Sequence, residues 1–227
     1  MAHEASQYKA KKKYRDVRIA ERYDQTRFTG LLGRIKLIRD RVLVSRALRE
    51  AAPIDRLLDL PCGTGRFIPV LEEIAGRVVS ADISLEMMGV ATSRFPGAGA
   101  SFVQCSVEGL PFRDSSFDLT FTARFLLHLP PDLRQVALSE LSRVSKRWVF
   151  FDCLMETGPK GWVRRLLAPI KKERKPKKRM GREELSRALD QAGLGIHCIY
   201  RPSRIFSEKW MVLCEKKNSS PPGGKGC

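Results

Sequence analysis

The stretch LLDLPCGTGRF, residues 57–67, decides the fold. An apolar run ends in Asp59, a Pro-Cys-Gly-Thr-Gly turn follows, and residues 66–75 continue with a helix-like pattern closed by Gly76. Strand, tight glycine turn and helix in that order make a loop that holds a nucleotide. Pro61 stands where such loops usually carry glycine, and its fixed φ is tolerated there because the turn needs glycine later, at Gly63 and Gly65.

Outward from this loop, strand-like and helix-like patterns alternate. Residues 33–50 read as a helix, with Ile35, Ile38, Val42, Leu43 and Leu48 at near-helical spacing. Strands are expected at 56–60, 78–82, 101–104, 117–122 and 147–152, and two late ones near 196–201 and 209–215. Helices are expected at 85–95, ended by Pro96-Gly97, at 131–144, and at 182–192, closed by Gly193. The alternation predicts an α/β fold, a mostly parallel Rossmann-like sheet with helices on both faces. Ligands in such sheets bind beyond the carboxyl ends of the strands, where the quoted loop lies.

The loop separates its possible ligands. A phosphate-binding P-loop requires Lys after its last glycine, but Arg66 and Phe67 follow Gly65. A dinucleotide loop requires a third glycine, and that position is Ile68. A nucleoside ligand without phosphate needs only a tight backbone turn and an acid on the next strand for its ribose. Asp82, 23 residues after Asp59, stands where such an acid belongs.

Four ordered stretches then carry a resemblance: LLDLPCGTGRF, VVSADISLEMM, VEGLPFRDSSFDLTFTARFLLHL and ELSRVSKRWVFFD, together spanning about residues 56–152. The chain resembles the class I S-adenosylmethionine (SAM)-dependent methyltransferases of small-molecule type, near the ubiquinone/menaquinone-biosynthesis group. The resemblance implies a seven-stranded sheet and SAM as cofactor. It implies that Asp59 and the turn Pro61, Cys62, Gly63 and Gly65 hold the methionine part, and that Asp82 takes the ribose hydroxyls. Ile83 and Met87 would pack on the adenine, Ser106, Val107 and Glu108 line its edge, and Thr122 and Ala123 lie beside the sulfonium. Ser106 stands where the family often has Asp, and Arg124 replaces a usually apolar residue. Arg124 either reaches solvent along its aliphatic stem or meets an anionic substrate group. His128 aligns with a frequent histidine of the family, as a general base or as a residue that shapes the pocket. Tyr23, on a helix that caps the cofactor, and Trp162 complete the substrate side.

Absences narrow the chemistry. TARFLL stands where the amino-methylating DNA and protein-glutamine enzymes carry [ND]PP[FY], and Pro61-Cys62 belongs to the loop rather than to a pyrimidine-attacking pair. Six scattered cysteines show no zinc spacing and read as reduced thiols, so no metal is expected. The basic N-terminus has no apolar segment of a secretory signal, and no apolar run approaches the roughly 18 residues of a membrane span.

The net charge of +17 is unevenly placed. Residues 1–50 carry 14 Lys/Arg against 6 Asp/Glu, residues 51–157 carry 10 against 13, and residues 158–227 carry 18 against 6. A near-neutral centre between basic flanks points to an anionic partner met by the flanks. GWVRRLLAPIKKERKPKKRM, 161–180, admits three readings: a substrate lid with a charged rim, an interfacial anchor on anionic lipid, or an RNA-phosphate contact. The organisation is then basic N-terminal cap helices over 1–50, the methyltransferase domain over 51–217 with a lid at 158–180, and a Pro/Gly/Ser-rich tail at 218–227. The function expected is methyl transfer to a small or lipid-like acceptor in the cytoplasm, at the inner face of a membrane. An RNA methyltransferase and a non-catalytic SAM-binding protein stay open beside it.

Overall fold

The computed structural model describes residues 30–97, 99–156, 179–203 and 207–217. Tyr23, Trp162, the tail and all of the 158–180 segment except Arg179 and Met180 lie outside the described residues.

The elements in chain order are α1 (Leu31–Glu50), β1 (Ile54–Asp59), α2 (Ile68–Glu72), β2 (Ala75–Asp82), α3 (Leu85–Arg94), β3 (Ser101–Gln104), β4 (Phe117–Thr122), a 3-10 turn (Leu126–His128), α4 (Pro131–Val144), β5 (Ser145–Leu154), α5 (Arg182–Gln191), β6 (Leu194–Tyr200) and β7 (Lys209–Lys216). They build one seven-stranded sheet in the order β3-β2-β1-β4-β5-β7-β6. The first five strands are parallel, and β7 enters antiparallel between β5 and β6. The strand order reverses at β1, between β2 and β4, so a crevice opens at the carboxyl ends of β1 and β4.

Alternation along β1, and a register shift between Phe117 and Leu119 in β4, send side chains into two apolar layers. Leu58 joins Phe117, Leu138, Leu141 and Leu189 on one face, under α4 and α5. Leu57 joins Leu119, Phe121, Phe150 and Leu48 on the other, under α1 and α2. Phe121 stacks on Phe150 at 5.0 Å and meets Phe67 edge-on at 5.2 Å, so the loop after β1 is anchored from below by aromatic packing. His197 packs edge-on against Trp148 at 4.9 Å, away from the loop.

One expected boundary is wrong. The helix after the loop runs only from Ile68 to Glu72, and Gly76 belongs to β2 rather than to a helix end. Strand pairing starts early, at Ile54 with Ala75. A Cβ at position 76 would stand 3.1 Å from Asp55 Oδ1 and 3.2 Å from its carbonyl oxygen, so glycine serves close strand approach there. Gly193, with φ +66°, closes α5 as expected.

Candidate functional site

The quoted loop crosses the switch point. Leu60 N–H donates to Phe121 O at 2.9 Å and Cys62 N–H to Ala81 O at 2.8 Å, so the turn is stitched to both flanking strands. The Leu60–Pro61 peptide is cis. Gly63 has φ +56° and its N–H donates to Asp82 Oδ2 at 2.9 Å. The other Asp82 oxygen accepts from Ser84 N–H at 3.0 Å. Ser84 in turn caps α3 by accepting from Met87 N–H at 3.1 Å, which sets the position of Met87. The Asp82 carboxylate is held by the backbone N–H groups of Ser84, Gly63 and Ile83, and its roughly four acceptor sites leave capacity for a further donor. Burial raises the Asp82 carboxyl above its usual range, and these backbone N–H groups pull it back.

A cavity opens against this loop. Its wall contains Pro61, Cys62, Gly63, Asp82, Ile83 and Met87 from the first two crossovers. Ser106 and Val107 from the loop after β3, and Ala123, Arg124 and His128 after β4, close it. Eleven of the residues expected at the site therefore line one space. Leu60, Arg66, Phe67, Cys105 and Phe125 line it too, and sequence reasoning missed them. They sit one or two positions from expected residues, so continuity along the loops was the available signal.

Four expected residues stand elsewhere. Thr122 is buried, 1% exposed, within the sheet end and not on the cavity wall. Glu108 is exposed, its N–H donating to Ser106 Oγ at 3.4 Å. Gly65, expected to meet a ligand, faces the helices instead. With φ +72°, a Cβ there would lie 2.9 Å from Ile68 Cδ1 and 3.0 Å from Ala91 Cβ. It supplies the close packing that a dinucleotide loop obtains from its third glycine. Gly65→Ala is therefore expected to cost about 2–4 kcal/mol of stability, from the left-handed φ and overpacking together. At Gly63 no atom lies within 4 Å of an added Cβ, so Gly63→Ala should cost only about 1–2 kcal/mol. Chemical denaturation of the two variants measures the difference.

Asp59 lies at the end of β1 beneath the turn, 2% exposed and outside the cavity wall. Its Oδ2 is buried with no hydrogen-bond partner. Burial, with the nearby Asp82 charge second, pushes its carboxyl up to about 8. A buried acid in this state holds its proton below about pH 8, and a cation brought against it would favour the ionised form.

Arg124 lines the cavity and does not reach out to solvent along its stem. It sits at φ +58°, its N–H donating to Asp152 Oδ1 at 2.5 Å. Its guanidinium pairs with Asp40 Oδ2 at 3.4 Å, and the side chain is only 17% exposed. Lys209 Nζ bridges Asp40 and Asp152, 2.9 Å from each. Two buried acids and two cations thus form a neutral quartet behind the cavity, which joins α1, β5 and β7. A neutral, mutually paired set is the condition under which buried charge is tolerated. Arg41 of α1 donates through Nε and Nη2 to Arg66 O at 3.0 and 2.6 Å. Helix α1 therefore supports two wall residues, Arg66 and Arg124, from outside.

Residues 58–150 match the methyltransferase domain family. The matched stretch runs from β1 into β5 and carries the quoted loop, Asp82 and the residues after β4 that line the cavity. The chain's curated relatives include the ubiquinone/menaquinone biosynthesis C-methyltransferase UbiE of Xanthomonas campestris, 41% identical over 107 residues, which is 44% of this chain and 42% of that protein. An uncharacterised methyltransferase of Synechocystis is 32% identical over 112 residues, 49% of this chain and 52% of that protein. The matched part thus spans about half or less of these relatives' length. Among solved structures, magnesium protoporphyrin IX methyltransferase from Synechocystis with bound S-adenosylhomocysteine (SAH) aligns with a TM-score of 0.72 at 16% identity, over 91% of this chain and 98% of that one. That likeness shows the fold alone, a Rossmann-like seven-stranded sheet.

Proposed function

We propose that the protein is a SAM-dependent methyltransferase acting on a small-molecule or lipid-like acceptor. The observation that carries this reading is the cavity against Gly63 and Asp82, with the orphaned Asp59 oxygen beneath the turn. It suits a ligand with ribose hydroxyls, a cationic amino-acid end and no phosphate. SAM supplies a methyl group on a positively charged sulfur that is already an excellent leaving group. The chain's own contribution is alignment and exclusion of water. Asp82 orients the ribose with its remaining lone pairs. Met87 (4% exposed) and Val107 (6% exposed), both buried, supply apolar wall on the adenine side together with Ile83. Ser106 Oγ is available at the adenine edge, where it replaces an acid with a neutral, shorter acceptor.

On the acceptor side, His128 and Arg124 face the cavity from the β4 end. His128 is fixed by the 3-10 turn, its N–H donating to Phe125 O at 2.8 Å. With SAM bound, methyl transfer would break the carbon–sulfur bond as the acceptor–carbon bond forms and release SAH, and the His128 imidazole on the cavity wall would receive the proton the acceptor gives up. A base matters most for an activated ring carbon or a phenol, and C-methylation is the reaction named for the UbiE relative. His128→Ala is expected to lower kcat about 10²–10³-fold while SAM affinity stays within about twofold. Isothermal titration against single-turnover rates separates the two. An unchanged kcat assigns His128 a shaping role. Labelled SAM incubated with membrane-lipid extract and the protein tests the acceptor class; label appearing only in RNA would refute it.

A further inference from the structure

Helix α1 is apolar on two opposite faces. Val44, Ala47 and Leu48 point inward at 0% exposure. Leu31, Ile35, Ile38 and Val42 are 75, 51, 61 and 60% exposed. At 3.6 residues per turn these four fall within a sector of about 60°, opposite the buried face. Arg34 and Arg39, both exposed, flank the row about 40° beyond each edge. Arg46 and Arg49 are exposed near its C-terminal end, and Glu50 is the only exposed acid on the helix. The other large exposed apolar side chains among the described residues, Leu85, Val136 and Ile196, stand singly on three different elements. Aligned exposure of this kind marks an interaction surface.

We propose that the outer face of α1 is a docking surface for an anionic phospholipid bilayer. An apolar row rimmed by arginine matches the layered chemistry of such a surface, with acidic headgroups outside and acyl chains below. A second copy of the chain would bring the same arginines face to face, which repels. The chain's own flanks are poor occupants for the same reason: residues 1–29 carry eight Lys/Arg against four Asp/Glu, and residues 157–178 carry nine against one. Those flanks instead add to the attraction for an anionic surface. RNA offers phosphates to the arginines but nothing to Leu31, Ile35, Ile38 and Val42. The inner side of the same helix holds the cavity wall, through Asp40 to Arg124 and Arg41 to Arg66. A docked α1 therefore places the cavity beside the bilayer, within reach of a membrane-dissolved acceptor. Only this last consequence rests on the proposed function; the docking itself does not.

The test is co-sedimentation of the full chain, without SAM, with vesicles of phosphatidylcholine alone or with about one-third phosphatidylglycerol. Wild type is expected to bind the anionic vesicles and not the neutral ones. Ile35→Ser/Ile38→Ser/Val42→Ser should weaken binding about tenfold at unchanged unfolding temperature, since these side chains lie outside the core. Arg34→Gln/Arg39→Gln should weaken it several-fold and reduce its salt dependence. Anionic-vesicle binding within twofold of wild type in both variants overturns the proposal. So does a self-association in ultracentrifugation that the serine variant abolishes, or a serine variant of lowered stability, because the row is then covered by protein. So does RNA binding that is lost in the serine variant while vesicle binding persists. SAM titration of the same preparations is scored separately, so a chain that binds vesicles but not SAM keeps the docking surface and loses the enzymatic reading.

Discussion

Replacing Asp82 by alanine should weaken SAM binding by about 10²-fold or more. The residue does two things at once. Its oxygens hold Gly63 N–H at 2.9 Å and Ser84 N–H at 3.0 Å, which fixes the turn against the start of α3. Its carboxylate lines the cavity, where ribose hydroxyls would donate to a charged acceptor. Hydrogen bonds to a charged group are each worth about 1.5–3 kcal/mol, so losing two of them alone accounts for the expected effect. Asp82→Asn keeps one acceptor oxygen and the volume, and should fall between alanine and wild type. Titration calorimetry of the three proteins with SAM decides. Full affinity in the alanine variant would remove Asp82 from the binding site.

The second large effect is a dependence of SAM affinity on pH. The ligand-free Asp59 carboxyl lies at about 8 because burial disfavours its charge. A cationic ligand group beneath the turn favours the carboxylate, so binding must displace a proton below that pH. Affinity is therefore expected to rise roughly tenfold per pH unit from about 6 towards 8 and to level off above it. Asp59→Asn should flatten the profile and hold affinity near the weak, low-pH value. The same shift has a consequence for the free protein. The native state holds this proton more tightly than the unfolded chain, so its stabilising contribution is full below the unfolded pKa near 4. That contribution is lost as pH rises through about 8. Proton release in calorimetry, measured in buffers of different ionisation enthalpy, checks the linkage. An Asp59→Asn protein with the wild-type pH profile would contradict it.

What the sequence disclosed follows from the range of the interactions involved. Strands β3 and β4 and helix α4 are legible to the residue because their cues are local: alternation in Phe117–Thr122, Pro131 and Asp132 in a first helical turn. Gly76 resembles a helix stop and so lengthens the helix expected after the loop, whereas the reason for glycine there lies across the sheet at Asp55. Helix α1 was legible as a helix but not in its faces. Ile35, Ile38 and Val42 lie about 80–140° around the helix from Leu48, and apolar spacing alone does not tell which of the two faces turns inward. The cavity wall was mostly legible, since its residues sit at strand ends that the alternation itself locates. Its outer support was not. Asp40 meets Lys209 across 169 positions and Arg124 across 84, and a lone acid in an arginine-rich helix reads as a solvated charge. Gly65 was given to the ligand because glycine in such a turn has two uses, and only the positions of Ile68 and Ala91 tell which one applies.

Isothermal titration of the whole chain with SAM and with SAH at pH 8 tests the central claim most directly. One site per chain with micromolar affinity for both ligands, reduced at least about 10²-fold by Asp82→Ala, is the predicted result. No heat of binding from either ligand at about millimolar concentration, a ceiling that still detects roughly 4 kcal/mol of binding, would contradict it.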